Sequence, residues 1–165
     1  DISVISGPKL INKMNVLSNY SNYFLNVFPI NDHGNIRRIS AISDVEGKTR
    51  EVAIMDYWSQ AALRPLHYFL FNCLRKIPQD CTFSQGSFFE KLPKSAEYYS
   101  VDLTAATDRF PIEAIKEVLK GRFNDDFVQS WARIMVGYPF WSNQLKRFVS
   151  YSVGNPMGAY SSWNS

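Results

Sequence analysis

The sequence has few of the residues that announce familiar chemistries. Its 165 residues include two cysteines and two histidines. Cys73 and Cys81 have the wrong spacing for a zinc knuckle, and no second pair exists. Both are read as reduced thiols that pack as small hydrophobes. His33 lies in a turn-forming run and His67 in a helical pattern. Neither has a serine or cysteine partner at a recognisable motif, so neither is given a functional role. No apolar run approaches the roughly 18 residues a membrane helix needs, and no signal peptide is visible. Charge of one sign is scarce too. The formal net charge of +3 excludes a histone-like tail, and it permits nucleic-acid contact without arguing for it. Repeats, low-complexity tracts and an obvious linker are all missing. The first residue is Asp1 rather than methionine, which leads us to expect an excerpt of a longer protein.

What is present is apolar surface. Hydrophobic residues make up 45% of the chain and aromatics 15%, enough for a real core in one domain or a piece of a larger one. Residues 10–28 could be helical but are rich in asparagine. Asn31, Asp32, His33 and Gly34 form a turn signature. Residues 36–42 and 52–55 read as short strands. Asp56 predicts a helix N-cap, followed by Ala62, Leu66, Phe69, Leu70, Cys73, Leu74 and Ile77 at helical spacing. Pro65 either sits near that helix's start or kinks it, and Pro78 closes it. Residues 98–103 read as a strand. Pro111 suits the first position of a helix that Gly121 ends. The Asn124-Asp125-Asp126 run caps another helix, with Phe127, Trp131, Ile134 and Met135 as its stripe and Gly137 as its stop. Residues 148–153 are a further strand candidate. This order points to an α+β or α/β arrangement.

Within it, VDLTAATDRFP carries two aspartates, Asp102 and Asp108. A carboxylate at a strand end has a rigid base and an open front, a good place for a divalent metal with oxygen ligands. Two-metal phosphoryl transfer needs at least two such carboxylates from separate segments. Asp108 lies past a turn, and its residue type suits a hydrogen bond to a ribose hydroxyl. Taken alone, the stretch fits equally well a surface aspartate followed by a helix-capping charge.

Three stretches taken in order are more specific. EGKTREVAIMDYWSQAALRPLH, YYSVDLTAATDRFP and VGNPMGAYSSWNS closely resemble the RNA-dependent RNA polymerases of mitoviruses, positive-strand RNA viruses that replicate in mitochondria. DCTFSQ, at residues 80–85, adds a fourth likeness, although Cys81 and Ser84 depart from that family's pattern. The resemblance implies an α+β fold that is part of a right-hand polymerase. Residues 1–97 would be a mostly helical, fingers-like region with a basic motif, and residues 98–165 an incomplete palm.

On this resemblance Asp102 is the catalytic, metal-binding carboxylate of motif A, with Mg²⁺ or Mn²⁺ as cofactor. Asp108 lies near the incoming ribose. VGNPMGAYSSWNS resembles motif B. Gly154, Pro156 and Gly158 suit a bend where backbone comes close to a ligand, and Ser161 and Ser162 offer hydroxyls, Ser162 being assigned the sugar contact. EGKTR resembles the fingers motif that guards the nucleotide channel, where Lys48 and Arg50 would neutralise a triphosphate. Taken alone, they also fit a solvated surface pair. The implied partners are an RNA template and nucleoside triphosphates, the implied location is the mitochondrion, and no specific protein partner is indicated.

Motif C, the usual Gly-Asp-Asp, and a thumb are not found, so the chain by itself is expected to be inactive. Asp125-Asp126 is read as a helix cap rather than a substitute. Two other classes compete: a non-catalytic RNA-binding protein or mitovirus-derived relic in a host genome, and a reverse-transcriptase palm. The last would carry a bulky aromatic where Asp108 stands.

Overall fold

The structure, a computed structural model, describes residues 1–27, 34–43, 47, 49–94 and 97–162. It is an α+β arrangement of eight helices and one four-stranded mixed sheet among the described residues. The asparagine-rich start is helical, as α1 (Ile2–Ser6), α2 (Pro8–Asn19) and α3 (Ser21–Val27), with no fully buried residue in any of them. Strands β1 (Arg38–Ser43) and β2 (Thr49–Ile54) then pair antiparallel, with Arg38 opposite Ile54 and Ser43 opposite Thr49. The turn expected at residues 31–34 lies largely outside the described residues.

Helix α4 (Tyr57–Leu74) starts where the Asp56 carboxylate accepts the Ser59 N–H at 2.8 Å. Pro65 lies in mid-helix, not near the start. The anticipated apolar stripe holds only for the first half. Ala62, Leu63 and Leu66 are buried, whereas Phe69, Cys73 and Ile77 are exposed. The second half of α4 runs out beyond the core, and helical spacing alone cannot say where a core ends. The short α5 (Ser87–Lys91) and α6 (Ala106–Arg109) were not anticipated.

Helices α7 (Ile112–Lys120) and α8 (Asp125–Val136) supply most of the core through Ile112, Ile115 and Leu119, then Val128, Trp131, Ile134 and Met135. Both i, i+3, i+7 rows fit amphipathic helices. Asn124 caps α8, its side-chain oxygen accepting from Phe127 N–H at 2.9 Å, as expected for a cap rather than an ion site. Pro111 stands one position before the helical residues of α7, as its N-cap. The Ile112 N–H turns outward to the Val153 carbonyl at 2.8 Å.

The hairpin of β3 (Phe140–Ser142) and β4 (Arg147–Val149) completes the sheet in the order β2-β1-β3-β4, with β1 and β3 parallel. Only 147–149 of the strand anticipated at 148–153 and its flank are paired. Arg37, just ahead of β1, donates to the carbonyls of Ile134 and Met135 at 3.0 and 3.2 Å. A cation at the carbonyl end of α8 is well placed electrostatically, even though burial lowers the pKa of this guanidinium.

One expected strand does not form. Residues 98–103 are irregular and exposed, with Tyr99 at 85% and Val101 at 82%. Strand preference reflects packing against neighbours and a ladder that accepts the backbone groups. Among the described residues, none lies alongside this stretch as a strand. Its tyrosines and valine therefore have β character but no sheet to join.

Candidate functional site

A cavity of about 490 Å³ is lined by Arg50, Gln60, Thr107, Met157, Gly158, Ala159, Tyr160 and Ser162. Arg50 comes from β2, Gln60 from the first turns of α4, Thr107 from α6, and the rest from the loop at 154–162. Residues far apart in the chain meet here because this loop is bonded on three sides.

Against β2, the Ala53 N–H donates to the Met157 carbonyl at 2.7 Å. Gly158 has φ +106°, and a Cβ there would stand 2.7 Å from the Ala53 carbonyl oxygen. The position therefore requires glycine twice, for its dihedral and for its space. Against α6, the Asn155 N–H donates to the Thr107 carbonyl at 3.0 Å. Gly154 packs on the same turn, where a Cβ would lie 2.5 Å from the Thr107 oxygen and closer still to the Asp108 carbonyl. Both glycines thus meet this chain's own backbone. Pro156 is fully buried between them.

Against α4, Gln60 holds the loop with both ends of its amide. Nε2 donates to the Gly158 carbonyl at 2.9 Å, and Oε1 accepts the Tyr160 N–H at 2.8 Å. His67 Nδ1 accepts the Ser161 N–H at 3.3 Å, with its ring 4.9 Å from that of Tyr160. The sequence reading gave His67 no role and did not single out Gln60. The structure gives His67 a structural place, as a partner of the loop. Their partners lie 94 to 100 residues away, so no local spacing could reveal them.

The two serines differ. Ser161 is buried, with φ 73°, and its Oγ accepts from Trp131 Nε1 at 3.3 Å. Ser162 is half-buried at the cavity wall and donates to the Ala159 carbonyl at 2.8 Å. Lys48 lies outside the described residues.

The aspartates line other surfaces. Asp102 is exposed on the irregular segment, in a hollow shared with Thr104, Arg109 and Phe110. Asp108 lines a third hollow with Arg109, Ser150, Tyr151, Ser152 and Val153. Burial, and then the charge of Glu51 on β2, raise the Asp108 carboxyl above its usual range. Tyr151 is pushed up to about 12 by burial, with Asp108 and Glu51 adding to the effect. Glu51 follows Arg50 in β2, and successive strand residues project to opposite faces. Of the residues marked in the sequence, Arg50, Gly158 and Ser162 thus come together, joined by Thr107. Asp102 and Asp108 do not share their cavity.

A Mg²⁺ ion takes about six oxygen ligands in near-octahedral geometry. Among the described residues, no group of three or more His, Cys, Asp or Glu side chains is placed to hold an ion. The donors present therefore do not make a two-ion centre. No helix among these residues is long and apolar enough to cross a membrane.

The chain is similar to known proteins over much of its length. It is 40% identical over 131 residues to the RNA-directed RNA polymerase of Cryphonectria parasitica mitovirus 1, a match covering 76% of this chain and 16% of that protein. It is 36% identical over 97 residues to one uncharacterized mitochondrial protein of Arabidopsis thaliana, covering 54% of this chain and 47% of the relative. A second such Arabidopsis protein is 36% identical over 102 residues, covering 56% of this chain and 39% of the relative. The chain thus spans less than half the length of each of these relatives. No solved structure matches it. The family model described as mitovirus RNA-dependent RNA polymerase matches residues 3–165, nearly the whole chain, so the chain belongs to the mitovirus RNA-dependent RNA polymerase family.

Proposed function

We propose that this chain is the fingers-like region and part of the palm of a template-directed RNA polymerase, with the division near residue 97. Its cavity receives the base and sugar of an incoming ribonucleoside triphosphate opposite an RNA template. The observation that carries the reading is a convergence. Arg50 of the EGKTR segment, Thr107 of VDLTAATDRFP, and Gly158 and Ser162 of the GNPMGAYSS loop line one hollow. In the proposed roles, Arg50 and Lys48 neutralise the triphosphate, as cations do in phosphoryl transfer. The Ser162 hydroxyl meets the sugar, and Asp108 favours a ribose. Gly154, Pro156 and Ser161 hold the loop in the shape that presents Gly158 and Ser162.

Asp102 is proposed as one carboxylate ligand of a Mg²⁺ or Mn²⁺ ion in the full-length protein. One carboxylate cannot hold two ions, so the chain alone is proposed to be inactive in RNA synthesis. With Mg²⁺, primed template and nucleotides, the chain is expected to give no extension. Template-dependent extension abolished by Asp102→Ala would overturn the inactivity and support the role of Asp102. The cavity itself is tested by titrating a fluorescent ribonucleoside triphosphate. Arg50→Ala is expected to weaken binding about tenfold or more, the scale of a charge-assisted hydrogen bond. Unchanged affinity would remove the cavity from the reading.

A second reading is a non-catalytic, mitovirus-derived relic or RNA-binding protein of a host. The likeness to two Arabidopsis mitochondrial proteins favours it. Both readings place the chain in mitochondria. Salt-dependent RNA binding without nucleotide binding would select the second.

A further inference from the structure

The outer face of α4 has an unusual composition. Its 18 residues include Arg64 and no aspartate or glutamate, and Arg75 and Lys76 follow directly. Arg64 is fully exposed and has tyrosines as partners. Its Nη2 lies 3.4 Å from the Tyr68 hydroxyl, and its guanidinium carbon 5.5 Å from that ring's centre. Tyr57 and Tyr160 contribute to its electrostatic surroundings as well.

A line of rings runs along the same helix from the cavity wall. Tyr160 touches His67 with centroids 4.9 Å apart, His67 touches Phe71 at 4.4 Å, and Phe71 touches Phe83 at 5.4 Å. Arg75 closes the line, 4.3 Å above Phe83. The helix is about 27 Å long at roughly 1.5 Å per residue. The surface therefore begins at the cavity and sets two arginine–ring pairs, Arg64 with Tyr68 and Arg75 with Phe83, beside a line of rings, and α4 itself contains no acid.

We propose that this face of α4 is a track for single-stranded RNA, continuous with the cavity at Tyr160. Bases stack on the exposed rings, and Arg64 and Arg75 meet phosphates. Rings interleaved with arginine bind single strands without regard to sequence, because every base has a π-face and every linkage a charge. Rings with arginine also suit protein interfaces; RNA is favoured here by the continuity with the cavity at Tyr160 and the lack of acid in α4. The proposal rests on the polymerase reading only for what the cavity holds.

The test uses the chain itself and a fluorescein-labelled oligouridylate, with affinity measured by anisotropy over a range of salt. Arg64→Ala and Arg75→Ala are each expected to weaken binding severalfold and to flatten the salt dependence by about 0.7 in log–log slope. Tyr68→Ala is expected to weaken binding about tenfold with the slope unchanged. Arg122→Ala removes an exposed charge outside α4 and should alter neither. Circular dichroism of each variant checks the fold, which exposed side chains should leave intact. Crosslinks from 4-thiouridine RNA are expected on α4 and Tyr160. The track is refuted by a wild-type chain that does not bind, by variants that bind like wild type, or by Arg122→Ala losing as much as Arg64→Ala. It is refuted equally by a dimer that Tyr68→Ala dissolves, which would assign the face to a second copy. Nucleotide binding is a separate readout. If Arg50→Ala leaves it unchanged while the α4 variants lose RNA, the cavity reading fails and the track stands.

Discussion

Gly154 lies directly against the backbone of Asp108, so closely that a Cβ on the glycine would overlap that residue's carbonyl group. A segment some 45 residues further along the chain is thereby seated on α6, the turn that carries Asp108.

Gly154→Ala is expected to destabilise the fold by about 1–3 kcal/mol or more, because what the methyl meets is backbone and not a side chain that can swing away. Gly158→Ala should cost a similar amount, from its φ of +106° and the Ala53 oxygen 2.7 Å away. Gly86→Ala is the control, since a Cβ there meets nothing within 4 Å. Urea unfolding of the three variants checks the order. Equal stability of all three would contradict the packing described.

Gln60→Leu removes the two bonds that Gln60 makes to the loop and leaves the one from His67. We expect a loss of about 1–2 kcal/mol, since both bonds are exposed and the freed backbone groups of Gly158 and Tyr160 turn to water. Amide exchange at Tyr160 should accelerate. Gln60→Glu keeps the acceptor for the Tyr160 N–H but loses the donor to the Gly158 carbonyl, so Tyr160 should stay protected in that variant. An exchange rate at Tyr160 unaffected by Gln60→Leu would show that the clamp does not hold in solution.

The Asp108 carboxyl titrates above its ordinary value near 3.8, chiefly because it is partly buried and secondly because of the negative charge of Glu51. The folded chain therefore holds that proton more tightly than the unfolded chain. Its contribution to stability is most favourable at low pH and is lost as pH rises from the ordinary value through the raised one. Asp108→Asn, which carries no charge, should unfold at a higher temperature than wild type at neutral pH. The gap should close below about pH 4. Thermal melts across this range decide the matter, and a gap independent of pH would rule the carboxyl out as its source. Glu51→Gln should narrow the gap.

Ser161→Ala strands the buried Trp131 Nε1–H, which now donates to the serine hydroxyl at 3.3 Å. Leaving that donor without a partner should cost about 1–3 kcal/mol. Trp131→Ala should cost more, about 3–5 kcal/mol, because the whole ring is lost from the core. Denaturation midpoints compare the two, and a serine variant as stable as wild type would mean the indole has found another acceptor.

Much of the secondary structure was legible from local pattern. The Asp56 and Asn124 caps, the stops at Gly121 and Gly137, and the rows on α7 and α8 all depend on residues within a turn or two of each other. The errors share a cause. The unpaired segment at 98–103, the strand of 148–153 cut short at Val149 and the exposed second half of α4 are all decided by what lies beside an element, and no window along the chain contains that neighbour. At the site, the motifs named Arg50, Gly158 and Ser162, but Gln60, His67, Glu51 and Thr107 became visible only through contacts across the fold.

By itself, then, the sequence determined the family, the caps that start α4 and α8 and the apolar rows of α7 and α8, because each of these is written in short-range order. Tertiary structure alone decided why Gly154 and Gly158 must lack a side chain, which hydroxyl is spent inside the core, and that the aspartates open onto hollows other than the one Arg50 lines. The reason is steric and electrostatic. Backbone approach, burial and the charge at Asp108 are set by groups some 40 residues away or more, and only folding brings them together.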